Sequence, residues 1–332
     1  METTRSALPS FGGPLFSPGR NPRPPGRDRS SRHKHIDRKR ATEQMSNITV
    51  NITTTYNRLD LCSQTAWSLL NQSILPPKIV IWVSKEAYLI DQGIDREPRW
   101  VRDLNKLRNI IEFRWTANTG PYRKLFPALD AATDDQIIVY ADDDAIYREN
   151  WLSLLISKFR EHNEEKIVAS RIRIRKRNLF GHHKTYMLWP IAKKEVELDS
   201  DYLITGVGGA ILKKNHIKEE FRKNQDYLTV CPKCDDLWIS EIIARSKTPV
   251  LSCPEAMREI LTINHEHGLE NQNTLTSHSL ARQALNKVKI NTFGRLGIPT
   301  CNNDVSFKRV KSYFNEIEKT ALGTVRVDKQ VS

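Results

Sequence analysis

Two groups of carboxylates could do chemistry in this chain. Asp142-Asp143-Asp144 ends the apolar run Gln136-Ile137-Ile138-Val139-Tyr140-Ala141, and Asp235-Asp236 opens the stretch Asp235-Asp236-Leu237-Trp238-Ile239-Ser240. Adjacent negative charges repel one another unless a cation or hydrogen-bond donors sit beside them. Hard oxygen ligands suit Mg²⁺ or Mn²⁺, and Mg²⁺ is usually held by one or two carboxylates together with substrate phosphates. The plain reading of the triplet is a solvated Asp-rich turn before a helix starting near Asn150. The plain reading of the pair is an acidic helix start favoured by the helix dipole. The chemical reading makes the triplet a cation holder and one member of the pair a general base. His265-Glu266-His267 adds two histidines that would share a face of an extended chain. Cys231-Pro232-Lys233-Cys234 is a single CxxC; zinc would need two further ligands, so reduced thiols are the expectation.

Alternating elements surround these residues. Asn47 to Thr54 reads as a β-branched strand, and Asp60 stands at the start of a helix running through Trp67 to Leu70. Lys78 to Ser84 is a second buried strand and Ile110 to Trp115 a third. A turn, Gly120-Pro121-Tyr122-Arg123-Lys124, precedes a helical pattern through Leu125, Leu129 and Ala132. The near-continuous apolar run 136–141 reads as a strand buried on both faces. Trp151 to Phe159 is an amphipathic helix and Lys166 to Arg173 another strand. This alternation predicts βαβ units with a parallel sheet, and open α/β sheets bind ligands outside the carboxyl ends of their strands. Arg171, Arg173 and Arg175 alternate, as in a charged edge strand or a basic wall for an anion. Leu203 to Leu212 is a strand interrupted by Gly206, Gly208 and Gly209, which marks a bulge or a close approach to the backbone. It fits neither GxGxxG nor a P-loop. Thr274 to Lys287 and Ser306 to Ala321 read as helices.

The chain has 332 residues, 39% hydrophobic and 27% charged, a composition suited to one large α/β domain with an extension. The formal charge is +13, of which +6 lies in the first 44 residues, with ten Lys/Arg against four Asp/Glu. That Pro-, Gly- and Arg-rich stretch, residues 1–44, is expected to be disordered, and a basic tether to an anionic membrane is one use for it. Residues 45–270 are expected to form the main domain and 271–332 a helical extension packed on it. No apolar run is long enough to span a bilayer and no signal-like segment stands out, so a cytoplasmic location is expected. The membrane contact, where made, would be peripheral and at the inner face.

Taken in order, the Thr-rich strand end at 53–55, the Gly-Pro-x-x-Lys turn at 120–124, the strand into Asp-Asp-Asp, the Gly-Gly strand and Asp-Asp-Leu-Trp at 235–238 resemble bacterial nucleotide-sugar glycosyltransferases of GT-A fold, close to the family 2 type. The resemblance covers about 47–270. It implies a single Rossmann-like α/β domain with a mixed central sheet, a Mn²⁺ or Mg²⁺ cofactor, and a nucleotide-diphosphate sugar donor, UDP-linked by preference. The acceptor would be a glycan or glycolipid, with the product serving polysaccharide or glycolipid assembly. Thr54, Tyr56 and Arg58 would flank the nucleotide base, and Lys124 would approach the base or diphosphate. Asp142 and Asp143 would touch the nucleotide, with Asp144 and Asp142 on the metal and His265 or His267 as a late metal ligand. Gly208, Gly209 and Trp238 would meet the donor sugar or acceptor, and Asp236 or Asp235 would be the base.

The chemistry asks for the same set. A divalent cation lets the leaving diphosphate gain charge, and a separate carboxylate takes the proton of the attacking hydroxyl. Two other readings remain. A nucleotidyltransferase would show a Gly-rich basic loop after the first strand, where this chain has Thr54-Thr55-Tyr56-Asn57-Arg58. A basic nucleic-acid-binding protein would interleave aromatic and basic residues on one surface, and no nucleic-acid partner is expected here.

Overall fold

The computed structural model describes residues 47–263 and 280–328. An eight-stranded sheet forms the frame, with strand order β3-β2-β1-β4-β10-β6-β11-β8. Its strands are β1 (Ile48–Thr53), β2 (Lys78–Val83), β3 (Ile111–Trp115), β4 (Ile137–Tyr140), β6 (Ile167–Ala169), β8 (Glu197–Leu198), β10 (Ala210–Lys213) and β11 (Val250–Ser252). Two short pairs flank it: β5 (Ala145–Tyr147) with β12 (Ile260–Thr262), and β7 (Ile172–Ile174) with β9 (Tyr202–Ile204).

The continuous apolar runs have a direct cause. Ile137 and Val139 of β4 enter one hydrophobic cluster with Ile79, Ile81 and Val83, while Ile138 and Tyr140 enter the other with Val80 and Trp82. A strand with both faces covered has no polar side, which is why alternation is missing. Helices α1 (Leu59–Leu70) and α4 (Trp151–Glu161) cover one face. The other face is covered by α3 (Phe126–Ala131), α7 (Asp235–Arg245) and α10 (Asn302–Asp328). Phe307, Val310 and Phe314 of α10 are buried in the cluster on that second face, so the C-terminal helix shares the core of the sheet.

The first half of the sheet is parallel: β1 pairs in parallel with both β2 and β4, and β2 with β3. The sheet is mixed, as the family resemblance implies: β10 runs antiparallel between β4 and β6. Its first residue, Ala210, sits opposite Tyr140, the last residue of β4. The turn before β10 and the triplet after β4 therefore lie at the same edge. The two remaining strand expectations divide in the same way. Residues 166–173 become β6 in the main sheet and β7 outside it, and residues 203–212 become β9 and β10. The break at Gly206–Gly208, a single 3₁₀ turn, allows one segment to serve two sheets.

His216 follows β10 and is buried against the edge of Phe159. Its Nε2 lies 3.0 Å from the Glu164 carbonyl, while Nδ1 accepts the Lys213 N–H. That pattern fits the neutral ring, and burial pushes its pKa down to about 4. The unfolded chain binds a proton here near pH 6.5 and the folded chain does not, so this site's contribution to stability is full above pH 6.5 and is lost as pH falls towards 4. The contribution is on the order of 3 kcal/mol. His216→Gln is expected to flatten the fall of unfolding free energy between pH 7 and 4.5 in urea titrations. Parallel curves for the two proteins would contradict it.

Candidate active site

Asp142, Asp143 and Asp144 leave β4 at the carboxyl edge of the sheet, beside β1, where the strand order reverses. This is the crevice in which open α/β sheets take ligands. Asp235 and Asp236 begin α7 on the other side of the same cavity, about 760 Å³ in volume. The two acidic groups meet at Lys124. Its Nζ lies 2.6 Å from Asp142 Oδ1, 2.8 Å from Asp235 Oδ2 and 3.9 Å from Asp236 Oδ1. Lys124 is buried, which opposes its charge, but Asp142, Asp235 and Asp236 outweigh that and hold its pKa well above the ordinary lysine value.

A glycine makes room for this meeting. A Cβ at Gly206 would stand 2.2 Å from Lys124 Nζ and 2.5 Å from Asp142 Oδ1. The Gly206 N–H donates to Asp236 Oδ1 at 2.9 Å, fixing that carboxylate across the lysine. Tyr147 ties the same pieces together: its hydroxyl lies 3.2 Å from both the Asp142 N–H and the Val207 carbonyl. Burial and the neighbouring Asp235 push the Asp236 carboxyl well above the usual range, against the pull of Lys124. Burial also lifts Asp142, with Lys124 opposing and Asp144 adding to the rise.

Asp143 is turned inwards. Arg58 pairs with it and with Asp144, the latter at 3.1 Å, and the Asp143 carbonyl accepts the Thr65 hydroxyl. Arg58 thus braces the triplet and also lines the cavity. Thr54 lines the cavity, and its carbonyl accepts a hydrogen bond from Arg123, which is itself paired with Asp91 at 2.8 Å.

Several expected contacts are corrected. Tyr56 is half exposed and does not line the cavity; its N–H is directed to Asp91. Gly208 and Gly209 face protein, because a Cβ on Gly208 would strike the Arg171 backbone and one on Gly209 would strike Trp151. Gly209 also has φ +72°, which favours glycine. Trp238 is fully buried against Tyr313 and Phe314. These three residues build the fold around the site. The arginine alternation also separates. Arg171 lines the cavity, Arg173 lies over Tyr186, and Arg175 is buried against Glu241. Cys231 and Cys234 are buried free thiols, with Cys234 Sγ 3.3 Å from Asn303. The chain is described up to Ile263, whose N–H meets the Asp144 carbonyl; His265 and His267 lie outside the described residues.

Gly206, Tyr147 and Asp91 carry parts of this arrangement that sequence reasoning did not assign. Gly206 was visible as a break in a strand. Tyr147 and Asp91 had no local signal, since each matters only through partners distant in the chain.

The glycosyl transferase family 2 profile matches residues 51–227, more than half of the chain. The chain belongs to glycosyl transferase family 2. Its mixed central sheet is the GT-A fold. The matched segment of this glycosyltransferase holds the triplet and Lys124 and ends before Asp235. No match is found among curated proteins. Among solved structures, a crystal structure of GalNAc-T7 with UDP, GalNAc and Mn²⁺ is similar at 12% identity and a TM-score of 0.43. That likeness covers 73% of this chain and 48% of the other, so the chain spans about half the length of that protein. The 4-diphosphocytidyl-2C-methyl-D-erythritol synthase of Anaerococcus prevotii is similar at 12% identity, TM-score 0.36, over 57% of this chain and 78% of the other. Likeness at this level is too weak to carry an argument about substrate.

Lys124→Met tests the meeting point. Removing one partner of a buried ion cluster leaves the others uncompensated and typically costs about 3–5 kcal/mol. The variant is expected to lose about that much at pH 7.5 and less at pH 5, where Asp142 and Asp236 take up protons. An equal loss at both pH values, or none, would contradict it.

Proposed function

We propose that this glycosyltransferase moves a sugar from a nucleotide-diphosphate donor, UDP-linked by preference, to a glycan or glycolipid hydroxyl, in one inverting, metal-dependent displacement. The observation that carries the proposal is the joining of two carboxylate groups in one cavity through Lys124. A volume of about 760 Å³ is in the range of small-ligand sites and admits a nucleotide with its sugar.

The donor set fits a divalent cation. Asp142, Asp235 and Asp236 lie around Lys124, and Asp143 and Asp144 pair with Arg58. Buried Asp143 Oδ2 has no hydrogen-bond partner. Among the described residues no three His, Cys, Asp or Glu gather as a metal cage. Mg²⁺ is usually held by one or two carboxylates, with water and substrate phosphate as its remaining ligands. Asp142 and Asp144 are the residues that would hold it. When bound, the ion supplies Lewis-acid stabilisation of the leaving diphosphate.

The chain's own residues divide the remaining work. Lys124 keeps the triplet and the pair at fixed separation. Arg58 holds Asp143 and Asp144 in place. Asp235 is buried and paired to Lys124, so its charge is spent on position. Asp236 is the more open of the two, with 31% of its side chain exposed, and it is oriented by the Gly206 N–H. A raised carboxyl pKa makes it a stronger acceptor of the attacking hydroxyl's proton, so Asp236 is the base. Membership of a glycosyltransferase family favours consuming a nucleotide sugar over making one.

Removing a positioned general base costs about 10²–10⁴ in rate. Asp236→Asn is expected to lose that much kcat while keeping nucleotide affinity within about threefold, because it retains the acceptor for Gly206. Asp144→Ala is expected to abolish Mn²⁺-dependent nucleotide binding and turnover together. Wild-type turnover by Asp144→Ala with Mn²⁺ would overturn the metal assignment. Since Asp236 accepts a proton only when ionised and its pKa is raised, kcat/KM should fall with acid at a pH above the usual carboxylate range. A pH profile flat down to about 4, the ordinary carboxylate range, would remove Asp236 as the base.

A further inference from the structure

The β7–β9 connection opens with a tight turn at Asn178–His182 whose apolar side chains are exposed. Leu179 is 101% exposed and Phe180 77%. Packed against this turn is the short segment after α9 (Leu280–Thr292). The Asn178 side-chain amide donates to the Arg295 carbonyl at 3.3 Å, and the Thr185 N–H donates to the Gly294 carbonyl at 2.9 Å. Gly297 sits so close to His182 and His183 that a Cβ there would clash. That segment exposes Phe293, Leu296 and Ile298, and α9 exposes Leu285 and Val288, one helical turn apart.

Basic residues surround these groups. Lys176, Arg177, Lys184, Lys287, Lys289 and Arg295 lie on the same two segments, while residues 171–184 and 280–300 contain no Asp or Glu. Among the described residues, Asp201 is bonded to Arg177 and His183, and buried Asp304 accepts from Thr185 and Tyr186. Isolated exposed apolar residues are ordinary, but a cluster of them at turn tips inside a basic rim is not. Apolar groups that enter the acyl boundary with cations at headgroup level are what an anionic bilayer surface accepts. A nucleic acid would match the charge and leave Leu179 and Phe180 without a partner. No described helix is long and apolar enough to cross a membrane.

We propose that the Asn178–His182 turn, the 293–298 segment and the outer face of α9 form one surface that docks on an anionic lipid bilayer. The segment that carries the turn reaches the candidate site at both ends, because Arg171 and Tyr186 both line the cavity. Docking there would present the cavity to an acceptor held in the membrane. The docking itself does not depend on the donor or metal assignments, and its test reads binding.

The full chain is mixed with sedimentable vesicles of phosphatidylcholine alone or with 30% phosphatidylglycerol, and bound protein is measured across lipid concentration. Binding is expected with the anionic vesicles and not the neutral ones. Leu179→Ser/Phe180→Ser should weaken it roughly tenfold or more with Tm unchanged. Lys287→Glu/Lys289→Glu should weaken it and reduce its dependence on salt. Undiminished binding by the Leu179/Phe180 variant would overturn the surface, since the basic N-terminal residues would then account for it. A large fall in Tm, or loss of a concentration-dependent dimer in that variant, would mean that the chain itself covers the patch, and would equally overturn it.

Discussion

The ammonium of Lys124 lies among carboxylates that come from two distant parts of the chain. Asp142 belongs to the end of β4 and Asp235 and Asp236 to the start of α7. Without a cation between them, three closely placed carboxylates would drive these ends apart. With it, the strand end and the helix start are held within hydrogen-bonding reach. The cost of burying Lys124 is offset only while all the carboxylates stay in place, so the cluster behaves as a unit.

That constraint explains features that look unrelated. Gly206 has no side chain because Lys124 Nζ and Asp142 fill the space one would need. Its N–H then becomes the donor that fixes Asp236. Strand β10 runs antiparallel in an otherwise largely parallel region because the chain must come back through that glycine turn to the edge where β4 ends. Tyr147 closes the arrangement from below by joining the triplet's backbone to the same turn. The two carboxylate groups are thus spaced by protein charge before any ligand arrives, which is the preorganisation that the proposed transfer chemistry needs.

Much of the frame was legible in the sequence because burial on both faces leaves a plain signature: 78–83 and 137–140 are apolar without alternation. The helix at Asp235 was legible from its acidic start. The antiparallel insertion was not, because strand direction depends on the connection and not on composition. The splitting of 166–173 and 203–212 between sheets was hidden for the same reason. Residues named for the site divide by how their signal arises. Asp142, Asp144 and Asp236 stand out as clustered charges. Trp238 stands two residues from Asp236 and Gly208 and Gly209 follow Gly206, yet these three serve packing, and proximity in a motif cannot separate those uses. Lys124 was visible as a basic residue on a turn, but its role as the meeting point depends on residues 18 and 111 positions away.

The central claim is that this cavity holds a divalent cation and a nucleoside diphosphate together. Its most direct test is thermal unfolding of the wild-type chain with UDP-, GDP-, dTDP- and CMP-sugars, each with Mn²⁺ and with EDTA. One donor, UDP-linked by preference, should raise Tm with Mn²⁺ and leave it unchanged with EDTA. Equal stabilisation in EDTA, or none by any nucleotide sugar with Mn²⁺, would contradict the account.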